Sequence, residues 1–206
     1  MILVIGNKNY SSWSMRPWIA MKVLGIDFQE KRIPLYGPGA KEEILLESPA
    51  GKVPILIDGA TRVWDSLAIL EYLAEKHPAM WPSAREARAA ARSISAEMHS
   101  GFPSLRTHMS MNVRKRYPGK GRTPEVLAEI GRINAIWSGA KGPFLFGAFS
   151  AADAMYAPVV LRFRTYEVGV ANRAYYDAML ALPAMKEWIA AAEREKESIP
   201  QFEMYE

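Results

Sequence analysis

Strand and helix patterns alternate through the first 80 residues, and this alternation constrains the fold more than any other feature of the sequence. The apolar run from Ile2 to Ile5 is typical of a buried strand, and Phe28 to Ile33 is interpreted as a second strand. Between them Ser14 can cap a helix, Pro17 would fall in its first turn and Gly25 would end it. A strand, helix and strand joined this closely predict a right-handed parallel crossover.

The next part of the chain completes a small α/β unit. A short second helix is predicted from Ala40 to Glu47. Residues 55–57 and 62–64, with Asp58-Gly59 near the turn, predict a β-hairpin. A closing helix with one apolar face ends before Pro78. The predicted order is βαβαββα.

Residues beyond 82 show no convincing strand pattern. We predict one long helix from Arg85 to about Arg116 and further helices that begin at Pro124, Ser150 and Pro183. The expected layout is therefore an α/β domain over residues 1–80 and an all-α domain over residues 85–206.

Composition narrows the classes of function. Half of the 206 residues are hydrophobic and 23% are charged, as in ordinary globular proteins. No apolar run reaches the roughly 18 residues of a membrane span, and no secretory signal is evident, so we expect a cytoplasmic protein without a membrane partner. The chain has no cysteine, which excludes disulfides, thiolate metal ligands and a cysteine nucleophile, and its histidines lack metal-ligand spacing, so no metal is expected.

The net charge of +4 is concentrated between Arg114 and Arg122, where five of nine residues are cationic. Only Tyr117 could stack on a base there, and Pro118 and two glycines indicate a loop. We interpret this segment as a solvated loop between helices, and expect no nucleic-acid partner.

Ser11 and Ser12 lie where the first strand gives way to a helix, and they are the first candidates for chemistry. A free thiol with a pKa of about 8.5 is only ~3% ionised at pH 7, and lowering that pKa by about two units requires ~2.7 kcal/mol. A hydroxyl near a helix N-terminus can supply this stabilisation. The alternative is that these serines only cap the helix, which we prefer for Ser14. Tyr10 offers a rival hydroxyl.

Two further motifs could hold a peptide-like ligand, and a third serves folding. Val53-Pro54 enters a strand, and its spacing is compatible with a cis bond or a trans turn. Ser66 at a helix start could bind a carboxylate and Asp65 an ammonium group, although the pair could equally be an ordinary N-cap. Ser150 to Asp153 has the pattern of a capping box and is assigned to folding.

The whole-chain order resembles the glutathione transferase superfamily, which pairs a thioredoxin-like N-terminal domain with a helical one. The resemblance covers essentially all 206 residues, and its carriers are Ser11 to Arg16, Gly51 to Pro54, Asp65-Ser66 and Phe146 to Asp153. The run Ser-Ser-x-Ser-x-Arg is most similar to that of the zeta class.

This resemblance implies that glutathione is the co-substrate, that Ser11 (or Ser12) activates its thiol, that Val53-Pro54 is cis, and that the protein is a homodimer. The implied glutathione-binding set is Trp13, Lys41, Lys52, Val53, Pro54, Asp65 and Ser66. The pocket for a small apolar electrophile would lie between the domains, lined by Tyr10, Met98, His99, Phe102 and Arg106.

The chain departs from the zeta class in two places, with Trp13 where that class has a cysteine and Trp18 where it has an arginine. Because of the departure at Trp13, the resemblance does not imply cis–trans isomerase activity. The activities that it still implies are conjugation, peroxide reduction or dehalogenation, in a detoxification role. A non-catalytic interaction module and a ligand-sequestering protein are the alternatives.

Overall fold

A computed structural model describes residues 1–205 of the chain. Its N-terminal part contains a four-stranded mixed sheet with the strand order β2-β1-β3-β4. The strands are β1 (Ile2–Ile5), β2 (Gln29–Arg32), β3 (Ile55–Asp58) and β4 (Thr61–Val63). β1 pairs in parallel with β2 and antiparallel with β3, and β3 pairs antiparallel with β4. The predicted crossover and hairpin are therefore confirmed.

Three helices accompany this sheet: α1 (Ser12–Val23), α2 (Ala40–Glu47) and α3 (Ser66–Ala74). α1 has buried residues on all sides, because it packs against the sheet and α3 as well as against helices of the C-terminal part. The order βαβαββα is as predicted, and α2 has the predicted bounds.

The start of α1 differs from the prediction. The helix begins at Ser12, two residues earlier than a Ser14 cap would place it. Ser14 therefore lies inside the helix and does not cap it, and Pro17 lies in the second turn and not the first. Pro17 has no N–H to donate to the carbonyl of Trp13 four residues before it.

The C-terminal part is helical throughout the described residues apart from loops, short 3₁₀ turns and isolated β-bridges. Its helices are α4 (Arg85–Ser100), α5 (Pro103–His108), α6 (Pro124–Ser138), α7 (Ala151–Tyr166), α8 (Arg173–Ala181) and α9 (Pro183–Arg194). The fold is thus a thioredoxin-like α/β part followed by an all-α part, as predicted. α8 was not among the predicted helices. No helix in residues 1–205 is long and apolar enough to cross a membrane.

The prediction of a single helix from Arg85 to about Arg116 is wrong. α4 ends at Ser100, and Phe102 adopts a left-handed conformation with φ 60° directly before Pro103. Proline disfavours a right-handed helical conformation in the residue before it and offers no N–H, so a continuous helix cannot cross this point. A short α5 follows, and residues 109–123 contain no helix.

α7 is the central helix, buried on nearly all sides and packed against both α1 and α4. The predicted capping box at its start is confirmed, because Oδ2 of Asp153 accepts the Ser150 N–H at 2.9 Å. Oδ1 of Asp153 accepts the Leu145 N–H at 2.9 Å. Burial raises the pKa of this carboxyl to about 6. The box ties the preceding loop to α7, and α7 in turn brings Arg162 to the domain boundary.

The basic segment is less solvated than its sequence indicates. Arg114 donates to the hydroxyl of Tyr10 at 2.9 Å and to the carbonyl of Glu197 at 2.7 Å. Tyr117 is buried, whereas Lys120 and Arg122 are exposed. The interpretation as a solvated loop is therefore wrong for Arg114, which joins the start of the chain to its C-terminal segment.

Candidate functional site

A cleft of about 940 Å³ lies between the α/β part and the helical part. One side is formed by the loop before α1, by α2 with the loop after it, and by the start of α3. The other side is formed by α5, the segment after it, α7 and the C-terminal segment. The predicted site residues that line it are Tyr10, Ser11, Ser12, Trp13, Lys41, Lys52, Val53, Pro54, Asp65 and Arg106.

Ser11 occupies the N-cap position of α1, but its side chain makes no capping hydrogen bond. Its Oγ lies 2.7 Å from Oγ of Ser14, which in turn accepts the N–H of Gly6 at 3.0 Å. The Ser11 hydroxyl is therefore not used to cap the helix and is held at the cleft by the serine behind it.

Ser12 is held from the opposite side of the cleft. Its Oγ accepts a hydrogen bond from Nη2 of Arg162 at 3.3 Å, and both side chains are buried. The two residues are 150 positions apart in the chain. α7 packs against the start of α1 and so connects the helical part to the floor of the cleft.

Three arginines surround this floor: Arg16, Arg106 and Arg162. Burial, together with repulsion from the other two, holds the pKa of Arg16 well below its usual range. Burial first, and then the nearby Arg106, lowers the pKa of Arg162 to about 9. None of the three guanidinium groups is in an ion pair within residues 1–205. The cleft floor is therefore electropositive and suited to anions.

Two of these guanidinium groups also carry buried nitrogen atoms that have no hydrogen-bond partner in the described part of the chain. They are Nε of Arg16 and Nη1 of Arg162. Arg16 is 1% exposed and donates from Nη1 to Oγ of Ser66 at 3.3 Å. Both nitrogen atoms are enclosed by protein, so what Arg162 offers to an anion in the cleft that it lines is its charge.

Trp13 lies close to two of the arginines. The guanidinium carbon of Arg16 lies 4.2 Å from the centre of the indole ring, and that of Arg106 lies 5.0 Å from it. Cations on an indole ring are stabilised by its electron-rich faces, so this tryptophan offsets part of the repulsion between them. His99 contacts the same ring edge-on at 5.3 Å.

Asp65 has the features of a cap and also those of a ligand-binding residue. Its Oδ1 accepts the N–H groups of Leu67 at 3.0 Å and Ala68 at 3.4 Å, which caps α3. Its Oδ2 lies 2.9 Å from Nε2 of His99. The carboxylate is about half exposed and lines the cleft. Ser66 is fully buried behind it and does not line the cleft.

Three residues expected in the pocket wall lie elsewhere. Met98 and Phe102 are 2% and 6% exposed and belong to the hydrophobic core, because the chain turns at Gly101 instead of continuing α4 past the cleft. His99 lies behind Asp65 and does not line the cleft. Arg106 does line it, anchored through Nε to the carbonyl of Gly101 at 3.0 Å.

On the same side of the cleft as the serines, the Val53-Pro54 bond is cis, as predicted. Lys41 and Lys52 are exposed at the same wall. Their ammonium groups are therefore accessible from the cleft.

The hydroxyl of Tyr10 is engaged away from the cleft floor. It donates to the carboxylate of Glu203 and accepts from Nη2 of Arg114 at 2.9 Å. Its ring stacks on Phe202 with centroids 5.6 Å apart. These contacts attach the C-terminal segment to the cleft wall, which makes Tyr10 a weaker rival to the serines.

Sequence reasoning missed Arg162 and Phe202. Arg162 carried one signal, since it is a cation in a helix that is otherwise largely apolar at that point. Phe202 had none, because its place at the cleft depends on how the last residues fold back. Within residues 1–205 no group of three or more metal-binding side chains occurs.

Comparison with known proteins agrees with this geometry. A family model described as glutathione S-transferase, N-terminal domain, matches residues 10–76, and the corresponding C-terminal domain model matches residues 60–191. A probable maleylacetoacetate isomerase from Caenorhabditis elegans is 37% identical over 97 residues, or 46% of this chain and 45% of that protein. The chain therefore spans about half the length of this relative.

Longer matches support the same assignment. The maleylacetoacetate isomerase of Rattus norvegicus is 32% identical over 169 residues, which cover 77% of this chain and 76% of that protein. A crystal structure of maleylacetoacetate isomerase from Methylobacterium extorquens AM1, with bound malonate and glutathione, superimposes with a TM-score of 0.71. It is 24% identical and covers 97% of this chain and 100% of that one. With both domain models matched in order, this chain belongs to the glutathione S-transferase family.

Proposed function

We propose that this protein is a glutathione-dependent enzyme in which Ser11 stabilises the glutathione thiolate for attack on a small electrophile that carries a carboxylate. One observation carries the proposal: two serine hydroxyls share the floor of the cleft with the buried Arg16 and Arg162 and the partly buried Arg106, and none of these arginines is in an ion pair within residues 1–205. That arrangement favours an anionic sulfur and an anionic co-substrate together.

The rest of the cleft suits the tripeptide. Asp65 would meet the ammonium group of the γ-glutamyl end, and the N-terminus of α3 would meet its carboxylate. The extended backbone at Val53 would pair with the peptide of glutathione as an added strand, and Lys41 or Lys52 would meet the glycyl carboxylate. The Methylobacterium relative was crystallised with glutathione, which supports this placement.

The electrophile was expected from the sequence to be apolar. The positions of Arg106 and Arg162 favour instead a carboxylate on an otherwise apolar molecule, because both line the cleft and neither is in an ion pair within residues 1–205. The malonate in the Methylobacterium structure is an anion of this kind.

In a conjugation the sulfur lone pair forms a carbon–sulfur bond, and the leaving group departs with its bonding electrons. The protein contributes the low thiol pKa and the orientation of both reactants.

Isomerisation is a second candidate reaction. Reversible addition of the sulfur to a carbon–carbon double bond next to a carboxylate would allow rotation, and elimination would return the thiolate. The arginines favour it because they would hold the carboxylate during rotation. The curated relatives from nematode and rat carry the name of such an isomerase.

The remaining expectations are part of the proposal. They are two domains over residues 1–80 and 85–206, a homodimer, a cytoplasmic location and a role in detoxification. Sedimentation of the purified protein tests the dimer. A non-catalytic interaction module or a ligand-sequestering protein would be favoured if the protein neither bound a glutathione resin nor turned over a generic aryl halide or a carboxylate-bearing electrophile.

The role of Ser11 is tested by the ultraviolet absorbance of the bound thiolate as pH is varied. Ser11→Ala should raise the pKa of bound glutathione toward that of the free thiol, because one hydrogen bond to the anion is lost. Tyr10→Phe is the matched control and should leave this titration unchanged. A normal titration in Ser11→Ala with a perturbed one in Ser12→Ala or Tyr10→Phe would move the role to that residue.

A further inference from the structure

The hydrogen bond between Oγ of Ser14 and Oγ of Ser11 can be assigned a direction from the surroundings of Ser14. Ser14 is fully buried inside α1, and its Oγ already accepts the N–H of Gly6. A buried hydroxyl proton needs an acceptor, and within residues 1–205 the hydrogen-bond acceptor at Ser14 is Oγ of Ser11, 2.7 Å away. Ser14 is therefore the donor and Ser11 the acceptor in this pair.

This direction determines what Ser11 can do. Since its oxygen receives the proton of Ser14, its own proton remains free, and Ser11 lines the cleft. The hydrogen bonds run from the Gly6 N–H through Ser14 to Ser11 and then into the cleft. Hydrogen bonds in such a series polarise one another, which strengthens the last donor.

Ser12 is placed in the same way by a charged group. A guanidinium has only donors, so Oγ of Ser12 must be the acceptor from Nη2 of Arg162. The hydroxyl proton of Ser12 is therefore available for donation to an atom in the cleft. Even with its pKa lowered to about 9 by burial, Arg162 is protonated at pH 7. Its charge makes Ser12 a stronger donor than a serine bonded to a neutral group.

We infer that Ser14 and Arg162 are positioning residues, which make Ser11 and Ser12 hydrogen-bond donors toward the glutathione sulfur and so lower the pKa of its thiol. The inference rests on the proposed function, because it requires glutathione in this cleft. A serine can accept a proton from a thiol or donate to a thiolate, and only donation stabilises the anion. Ser14 and Arg162 each leave the serine that they contact as a donor toward the sulfur.

The experiment titrates the thiolate absorbance of bound glutathione in Ser14→Ala, Arg162→Met and Arg162→Lys, with no electrophile present. Arg164→Met is the matched control, since Arg164 is on the same helix two residues away and does not line the cleft. Calorimetry at a pH below the thiol pKa measures glutathione binding separately, and thermal melts verify that each variant is folded.

Ser14→Ala and Arg162→Met should each raise the pKa of bound glutathione by about one, which lowers the thiolate fraction at pH 7 about threefold when the wild-type pKa is about 6.5. Arg162→Lys should recover part of this loss because it keeps the charge, and Arg164→Met should match the wild type. Glutathione binding below the thiol pKa should change little, which a purely structural role would not predict.

Two outcomes separate this inference from the proposed function. If Arg162→Met binds glutathione and its thiol titrates as in the wild type, the inference is wrong and the function stands. If the wild-type protein fails to bind glutathione, the proposed function is wrong and the inference falls with it. The Ser14 and Arg162 variants test the inference independently. If Ser14→Ala does not fold, the Arg162 variants still decide the outcome.

Discussion

Replacing Asp65 by asparagine should separate its two roles. Asparagine is as good an N-cap as aspartate, so the hydrogen bonds to the Leu67 and Ala68 N–H groups are retained. The contact with His99 is altered, but Asp65 is about half exposed and even an ion pair at such a site contributes only about 0–1 kcal/mol. The expected loss in the free energy of unfolding is therefore at most about 1 kcal/mol.

The loss in glutathione binding should be much larger. A hydrogen bond between ionised groups contributes about 1.5–3 kcal/mol, and the variant would lose its charge partner for the γ-glutamyl ammonium. At 1.4 kcal/mol per factor of ten, the Kd for glutathione should rise about 10- to 150-fold. Asp65→Ala should show the same rise and, in addition, a loss of stability of about 0.5–2 kcal/mol from the missing cap.

The assay combines calorimetry and urea unfolding with a ligand control. A glutathione analogue without the α-amino group should bind the wild type about as weakly as glutathione binds Asp65→Asn, and should bind the variant no more weakly than the wild type. If Asp65→Asn binds glutathione with wild-type affinity, Asp65 is only a helix cap. If the analogue and the substitution weaken binding additively, the carboxylate does not contact the ammonium group.

Two further predictions concern stability. Gly121 has φ 71° and a Cβ there would lie 2.3 Å from the His108 carbonyl oxygen, whereas Gly119 has φ 74° and open space. By urea unfolding, Gly121→Ala should cost about 2–5 kcal/mol and Gly119→Ala only about 1–2, and equal costs would contradict the predicted clash. Burial raises the pKa of Asp153 from 3.8 to about 6, so its protonation stabilises the fold below pH 3.8 and this contribution is lost as pH rises through about 6. The unfolding free energy of the wild type relative to Asp153→Asn should fall over that range by at most about 3 kcal/mol, and a difference independent of pH would rule the shift out.

Local patterns were sufficient for the order of elements in the first 80 residues. The apolar run of β1, the bounds of α2 and the hairpin of β3 and β4 each depend on neighbours within a few residues. The capping box at Ser150 and Asp153 is equally local, and it was found as predicted. The break after α4 is also encoded locally, at Pro103, within a stretch whose composition is otherwise helical.

The residues of the candidate site likewise form two groups, those that local sequence indicates and those that only the tertiary structure brings together. The sequence by itself determined which hydroxyls, which lysine and which carboxylate lie at the starts of α1, α2 and α3, because those positions follow from short-range backbone structure. Only the tertiary structure decided that Arg162 meets Ser12 and that Met98 and Phe102 enter the core. It also decided that Arg114, in the basic segment, donates a hydrogen bond to the hydroxyl of Tyr10. These contacts join residues separated by up to 150 positions, and they are set by how α7 packs on α1 and how the last residues fold back, which no local pattern encodes.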